Sequence, residues 1–375
     1  MIRVLHIVSS VNKDSGVMNF IMNYYKNLDK KKIQFDFLFW EEDYKKTFAN
    51  EIIDFGGTLY KISKPKISRN SFQILNDNIV KFAETGRIIH LHELYLNSIV
   101  KKILNKQEVS LISHAHTTKY SDKLVSSLRN RILCFNINKN SDYYFACSLD
   151  AGDFYFSKNF NVNSKKSNII SNAIDLDLYK NNNELREKKR NEMQIVDKTV
   201  FGHIGRFNHQ KNHKLLIDIF YEIQKKIENA VLVLVGDGPL KKNIEEKVEK
   251  LGISKKVLFM GTRNDVNEII QSIDVFLLPS HYEGLGIVLI EAQASGVPCV
   301  ASDVIPKEVT ISENIYFEKI NSKNSIRNWS EKAIYLTKKS SNRKKNIAKS
   351  HNYNIKKEVK KLEDIYLEIY KHTRR

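Results

Sequence analysis

The sequence predicts an α/β protein with two parallel-sheet domains, and three observations carry that expectation. Short apolar segments alternate with amphipathic ones from end to end, the pattern of parallel strands joined by covering helices. The 375 residues leave room for about two domains of ordinary size. Apolar residues make up 42% of the chain, enough for real cores and too many for a disordered polymer.

In the first half, short apolar runs read as strands at Arg3–Val8, Phe35–Phe39, Ile88–Leu91, Ser110–Ser113 and Tyr143–Ala146. Phe20–Leu28 and Ser98–Leu104 between them have helical patterning. The second half repeats the scheme, with strands at Val200–Ile204, Val231–Val235, Val257–Phe259, Val275–Leu278 and Pro298–Ala301. Its helices include Lys214–Lys226, Leu240–Leu251 and Ile287–Ala294. A break falls near residues 172–180, where Asn172-Ala-Ile-Asp-Leu-Asp-Leu178 precedes a polar run from Lys180 to Asn191. The domains are therefore expected at 1–175 and 176–352. A final helix, Lys356–Tyr370, carries Val359, Leu362, Tyr366, Ile369 and Tyr370 on one face.

Composition narrows the function classes. No apolar run reaches the roughly 18 residues that span a bilayer. Met1–Val8 reads as a first strand and is too short for a signal peptide. Cys134, Cys147 and Cys299 are isolated, so neither a zinc site nor a disulfide framework is indicated, and the cytoplasm is the expected compartment. The formal charge of +18 fits an anionic membrane surface, nucleic acid, an acidic substrate, or a genome biased toward Lys, Asn and Ile. Part of it is clustered. Lys101, Lys102, Lys106, Lys119, Lys123, Arg129 and Arg131 face only Glu108 and Asp122 in their stretch. Lys338, Lys339, Arg343, Lys344, Lys345 and Lys349 have no acidic neighbour between them. No helix-turn-helix, zinc finger or RNA-binding aromatic motif supports nucleic acid.

The richest stretch is Ser280-His-Tyr-Glu-Gly-Leu-Gly-Ile-Val-Leu-Ile-Glu291. A strand ending in a glycine turn and a helix presents free N–H groups to a phosphate, while Glu283 and Glu291 can take hydroxyls. Strand Val200–Ile204 ends in Gly205-Arg206 and, five residues on, Lys211, two cations able to clamp a diphosphate. Val235-Gly236-Asp-Gly-Pro239 is a further strand-to-helix turn, either a close backbone approach or an ordinary tight turn. Arg263 follows a strand and can lie near a nucleotide base. Gly16 near the first helix can face a phosphate or form a plain turn. His114 and His116 follow the fourth strand; their alternation is expected to turn one toward the sheet top and the other away. One of them can bond a sugar hydroxyl or serve structure alone. A metal pair there needs ligands from elsewhere, and none is assigned. Asp175 and Asp177 read as turn caps.

These motifs resemble the retaining glycosyltransferases of family 4, most closely the bacterial capsule and exopolysaccharide members. The resemblance rests on Gly205-Arg206 with Lys211, on Val235–Pro239, and on Glu283 and Glu291 followed by Ala292-Gln-Ala-Ser-Gly-Val-Pro298. It is looser in the first half, where Ser15-Gly16-Val17-Met18 departs from the family's two glycines and acid. It implies the GT-B fold: two Rossmann-like doubly wound domains facing a cleft, an acceptor domain first and a donor domain second, with the final helix (353–375) crossing back to the first.

The resemblance also implies roles. Arg206 and Lys211 bind the donor diphosphate, with Gly205 and Gly236 beside it. The N–H groups of Gly284, Leu285, Gly286 and Ile287 cap the phosphates. Glu291 takes the ribose and Glu283 the donor sugar. His116, with His114 as runner-up, faces sugar and acceptor. The implied reaction moves a sugar, with retention and without metal or cofactor, from a nucleotide-sugar to a hydroxyl of a lipid-linked surface polysaccharide. UDP is the implied carrier and GDP the alternative. The implied location is the inner face of the plasma membrane, held peripherally through the basic clusters. The rival readings are a nucleotide-sugar epimerase on the same fold and a basic nucleic-acid-binding protein.

Overall fold

The structure is a computed structural model and describes residues 1–373 except 14, 42–45, 67, 122–123, 158–159, 162 and 341–352. Two units divide it, Met1–Ala173 with Tyr353–Arg375, and Ile174–Asn352. The first holds seven strands: β1 (Ile2–Ile7), β2 (Ile33–Phe39), β3 (Leu59–Lys61), β4 (Ile88–Leu91), β5 (Ser110–Ala115), β6 (Tyr143–Ala146) and β7 (Ser167–Ile169). Their order is β3-β2-β1-β4-β5-β6-β7, and every neighbouring pair is parallel.

The six strands of the second unit are β8 (Thr199–Ile204), β9 (Ala230–Val235), β10 (Val257–Phe259), β11 (Val275–Leu278), β12 (Cys299–Ser302) and β13 (Ile315–Glu318). They are ordered β10-β9-β8-β11-β12-β13, again all parallel. Strand order reverses beside β1 in one sheet and beside β8 in the other. Open parallel sheets bind ligands outside the carboxyl ends of strands at such reversals. Each unit thus offers one natural site: the ends of β1, β4 and β5, and the ends of β8 and β11.

Both faces of the first sheet are buried. Val4 joins Phe35 and Phe37 in one core, while Leu5 and Ile7 join Leu38 in the other. This alternation is why the central strands read as continuous apolar runs. The strands that escaped the sequence are edges. β3, β7 and β13 have only three or four residues and are partly exposed, so no apolar run marks them.

The polar run after residue 180 is not a loop. It contains a helix, α8 (Asn183–Glu192), capped by Asn182, whose side chain accepts from the Leu185 N–H at 3.0 Å. Arg186 and Arg190 both bind Asp274, next to β11. Lys189 lies 2.8 Å from Glu192, 2.8 Å from Asp265 and 2.9 Å from Glu268. Ion pairs rather than an apolar stripe dock this helix, so apolar periodicity could not reveal it.

The last helix, α14 (Ile355–Thr373), packs Ile355, Val359, Leu362, Tyr366 and Ile369 into the core of the first unit, beside Met18 and Ile21. Among the described residues, no helix is long and apolar enough to cross a membrane.

Candidate functional site

The second-unit site forms where β8 and β11 end. After β11 the chain runs through Ser280–Leu285 to Gly286, whose φ of +78° is the left-handed conformation that glycine tolerates. Helix α12 (Ile287–Ala294) starts there. The loop after β8 brings Lys211 to the same place, with its Nζ 2.6 Å from Glu283 Oε1. Ser280 Oγ donates to that oxygen at 2.7 Å, and Gln210 Nε2 donates to Glu283 Oε2 at 3.2 Å. The His281 N–H donates to the Gln210 carbonyl at 2.8 Å, tying the two loops through their backbones. Glu283 and Lys211 are largely buried, with side-chain exposures of 6% and 16%. A pair so desolvated is held by geometry, and removing one member strands the other.

Close backbone approach explains the glycine at 236. A Cβ on Gly236 would sit 2.1 Å from the Gly205 carbonyl oxygen, and the Gly205 N–H donates to the Val235 carbonyl at 2.9 Å. The Gly236 turn therefore packs directly on the start of the Lys211 loop.

Glu291 lies inside α12, and desolvation pushes its carboxyl up to about 7, partly offset by a hydrogen bond from Tyr179 and by the Lys211 charge. Tyr179, just past the division between the units, is the partner that sequence reading missed. Its phenol is pushed up by burial and by Glu291. An unfolded Glu291 ionises near 4.5, so raising the pH from about 4.5 to 7 strips protons from the unfolded chain first and erodes stability. Glu291→Gln removes this penalty. It is expected to stabilise the fold at about pH 8 by on the order of 3 kcal/mol, with the gain vanishing near pH 4.5. Thermal melts across pH measure this; an equal shift at both ends would contradict it.

The remaining sequence candidates divide. Arg206 is exposed on the Lys211 loop. Arg263 pairs with Asp265: its Nε and Nη2 each lie 2.8 Å from an Asp265 oxygen, in the ion cluster that fixes α8. The loop that carries it meets the Gly236 turn, whose N–H donates to the Gly261 carbonyl at 2.8 Å. Gly16 begins α1 (Gly16–Asn27) behind a Ser15 cap, and its φ requires no glycine. A Cβ there meets nothing within 4 Å, so the position is open.

In the first unit, His114 and His116 do not point to opposite sides. Their rings stack with centroids 4.1 Å apart, because residues two apart on a strand share a face. His114 is fully buried, whereas His116 is partly exposed. Further histidines do converge. His6 from β1, and His90 and His92 at the end of β4, join them.

Among the described residues, two groups of three could gather around an ion: His6, His90 and His92; and His92, His114 and His116. Their contacts are closer than ligation favours. The bonded pairs lie at 2.9, 2.7 and 3.0 Å, whereas two nitrogens on a tetrahedral zinc stand about 3.3 Å apart. The spacing is that of imidazole–imidazole hydrogen bonds. The sequence signal was the repeated His-x-His of 90–92 and 114–116, which places each pair on one face at a strand end.

Comparison with known proteins agrees with this architecture. The family model described as glycosyl transferases group 1 matches residues 185–352. A putative glycosyltransferase, EpsF, of Bacillus subtilis (strain 168) is 33% identical over 314 residues, spanning 82% of this chain and 80% of that one. An Escherichia coli UDP-Gal:alpha-D-GlcNAc-diphosphoundecaprenol alpha-1,3-galactosyltransferase is 29% identical over 229 residues, 56% of this chain and 57% of its own. Among solved structures, Anabaena Alr3699/HepE in complex with UDP superposes with a TM-score of 0.81 at 17% identity, covering 98% of this chain and 100% of that one. The fold is GT-B, and the chain belongs to the group 1 glycosyl transferases.

Proposed function

We propose that this glycosyltransferase moves a sugar, with retention and without a divalent metal, from a UDP-sugar to a hydroxyl of a lipid-linked surface polysaccharide. The observation that carries the reading is the meeting of Lys211, Glu283 and the start of α12 at the strand-order reversal of the second sheet. A diphosphate arriving there shares the Lys211 ammonium with Glu283 and lies against the helix N-terminus, with Arg206 on the same loop. Glu283 is then freed toward sugar hydroxyls, and Glu291 toward the ribose. His116 serves sugar and acceptor from the first unit.

The chemistry asks for no strong side-chain base. The departing phosphate oxygen takes the acceptor proton as the new bond forms on the same face, and fixed cations offset the charge it develops. The donor class is supported by the UDP in the Anabaena neighbour and the UDP-Gal in the E. coli relative's name. A thermal-shift screen over UDP- and GDP-sugars tests it. UDP-sugars are expected to raise Tm, and stabilisation by GDP-sugars alone would reject the assignment.

A cytoplasmic, membrane-peripheral location follows from the same reading. Helix α5 (Leu124–Leu133) and the residues after it expose Val125 (85%), Leu128 (62%), Ile132 (67%) and Phe135 (84%), one stripe at helical spacing. Arg129, Arg131 and Lys139 are exposed around it. Apolar stripes flanked by cations suit an anionic bilayer, each cation adding roughly 1 kcal/mol near the surface. Of the basic clusters noted above, Lys123 and residues 341–352 lie outside the described residues. Binding to anionic vesicles is expected to weaken with salt and to fall several-fold in Leu128→Asp. Equal binding to neutral vesicles at low and high salt would overturn it.

A further inference from the structure

The five clustered histidines of the first unit form two hydrogen-bonded files. One runs His6 Nδ1 to His92 Nε2 (2.9 Å), then His92 Nδ1 to His116 Nε2 (2.7 Å). The other runs from the Tyr366 hydroxyl to His90 Nδ1 (2.6 Å), then His90 Nε2 to His114 Nδ1 (3.0 Å). The first file alone ends at a partly exposed residue, His116.

A neutral imidazole has one N–H donor and one bare acceptor. Burial keeps this file neutral, pushing His6 and His116 down to about 3 and His92 well below its ordinary value. Three neutral rings hold three N–H groups but make only two bonds with one another. One N–H is left over, and it must sit at an end. At the inner end, His6 Nε2 is buried without a partner, and the ring packs on Phe35 and Phe37. A stranded N–H there is unfavourable, because orphaned buried donors are rarer than orphaned acceptors. At the outer end, the leftover N–H falls on His116 Nδ1, on the ring that keeps some exposure.

We propose that His6 and His92 are positioning residues that lock His116 in its Nδ1–H tautomer, so that it presents a hydrogen-bond donor, not a base, to an oxygen of the bound sugar or acceptor. Every bond in the file then points outward, from His6 to His92 to His116. The proposal rests on the reading of His116 as a substrate-facing residue, although the tautomer itself is independent of that reading. It also fits the chemistry above, in which the phosphate oxygen and not a histidine takes the acceptor proton. The nitrogen bonded by one ring decides which nitrogen of the next carries the proton.

Nitrogen-15 NMR of the histidine-labelled full chain at neutral pH tests this without any substrate. His6, His92 and His116 are each expected as Nδ1–H, with nitrogen–nitrogen coupling across both hydrogen bonds. In His92→Phe, which keeps the ring and removes both nitrogens, His116 should revert to the Nε2–H form that free histidine favours. His92→Gln, with one donor and one acceptor, should restore part of the Nδ1–H signal. In the same variants kcat should fall about tenfold in Phe and less in Gln, with the donor KM within about twofold.

An Nε2–H signal for His116 in the parent chain, or absence of the couplings there, would overturn the file even if His92→Phe failed to fold. A reverted tautomer with unchanged turnover would instead remove His116 from the transfer and leave the file standing.

Discussion

Acidification to about pH 5.5 is expected to unfold the first unit while the second stays folded. His6, His90, His92, His114 and His116 all protonate well below 6.5 in the fold, with desolvation the first cause in each case. In the unfolded chain they protonate near 6.5. Their stabilising contribution is therefore complete above that pH and is lost as pH falls toward the folded values, where unfolding gains protons. One unit below 6.5, each such imidazole costs about 1.4 kcal/mol, so the five together cost about 7 kcal/mol, offset in part by Glu93 and Glu358, whose carboxyls burial raises. That is comparable to the whole stability of a domain, about 5–15 kcal/mol.

The second unit is buffered against the same change. His203 and His213 are lowered by burial and add a cost of the same sign. Glu291 acts in reverse, since its raised carboxyl recovers stability as pH falls from 7 toward 4.5. Between pH 7 and 5.5 Glu291 recovers about 1.6 kcal/mol against about 2.5 kcal/mol for the two histidines, so the net cost to the second unit is about 1 kcal/mol. Hydrogen exchange resolved by peptide should show β1, β4 and β5 losing protection first, with β8 and β11 retained. Loss of the second unit first, or no change by pH 5, would contradict the account.

Replacing Glu283 by Ala is expected to lower kcat/KM by about 10²–10³-fold with the chain folded. The carboxylate organises the site twice over. It receives Lys211, Ser280 and Gln210, so its loss frees the ammonium and unties the two loops. It is also the group proposed to hold the donor sugar. Affinity for UDP alone should change little, because the sugar is absent from it. Normal turnover in folded Glu283→Ala would reject the assignment. Some loss of stability is expected as well, since Lys211 is left largely buried without its closest partner. Glu283→Gln keeps an oxygen for Ser280 and should retain more stability than activity.

Local chemistry made the site partly legible before any coordinates. The turn Glu283–Ile287 and the Gly205–Lys211 loop each announce themselves by a strand, glycine and charge in sequence, and both sit at the reversal of strand order. Ser280 and Gln210 did not announce themselves. A serine and a glutamine in loops carry no signal until the loops meet across 72 positions of chain. Arg263 shows the converse: its partner Asp265 is in view in the sequence, but Lys189, which also engages Asp265, comes from α8 in the polar run after residue 180.

By itself, then, the order of residues determined the alternation of strands and helices, the two-unit plan, and the residue types at the Glu283–Ile287 turn. These follow from periodicity and turn geometry, which act over a few neighbours. Only the tertiary structure decided that five histidines from three strands share one face and bond in files, or that Tyr179 shields Glu291. Such contacts arise because a parallel sheet sets strands side by side that are far apart in the chain, as His6 and His92 are by 86 positions. Burial then fixes their protons, which no local pattern encodes.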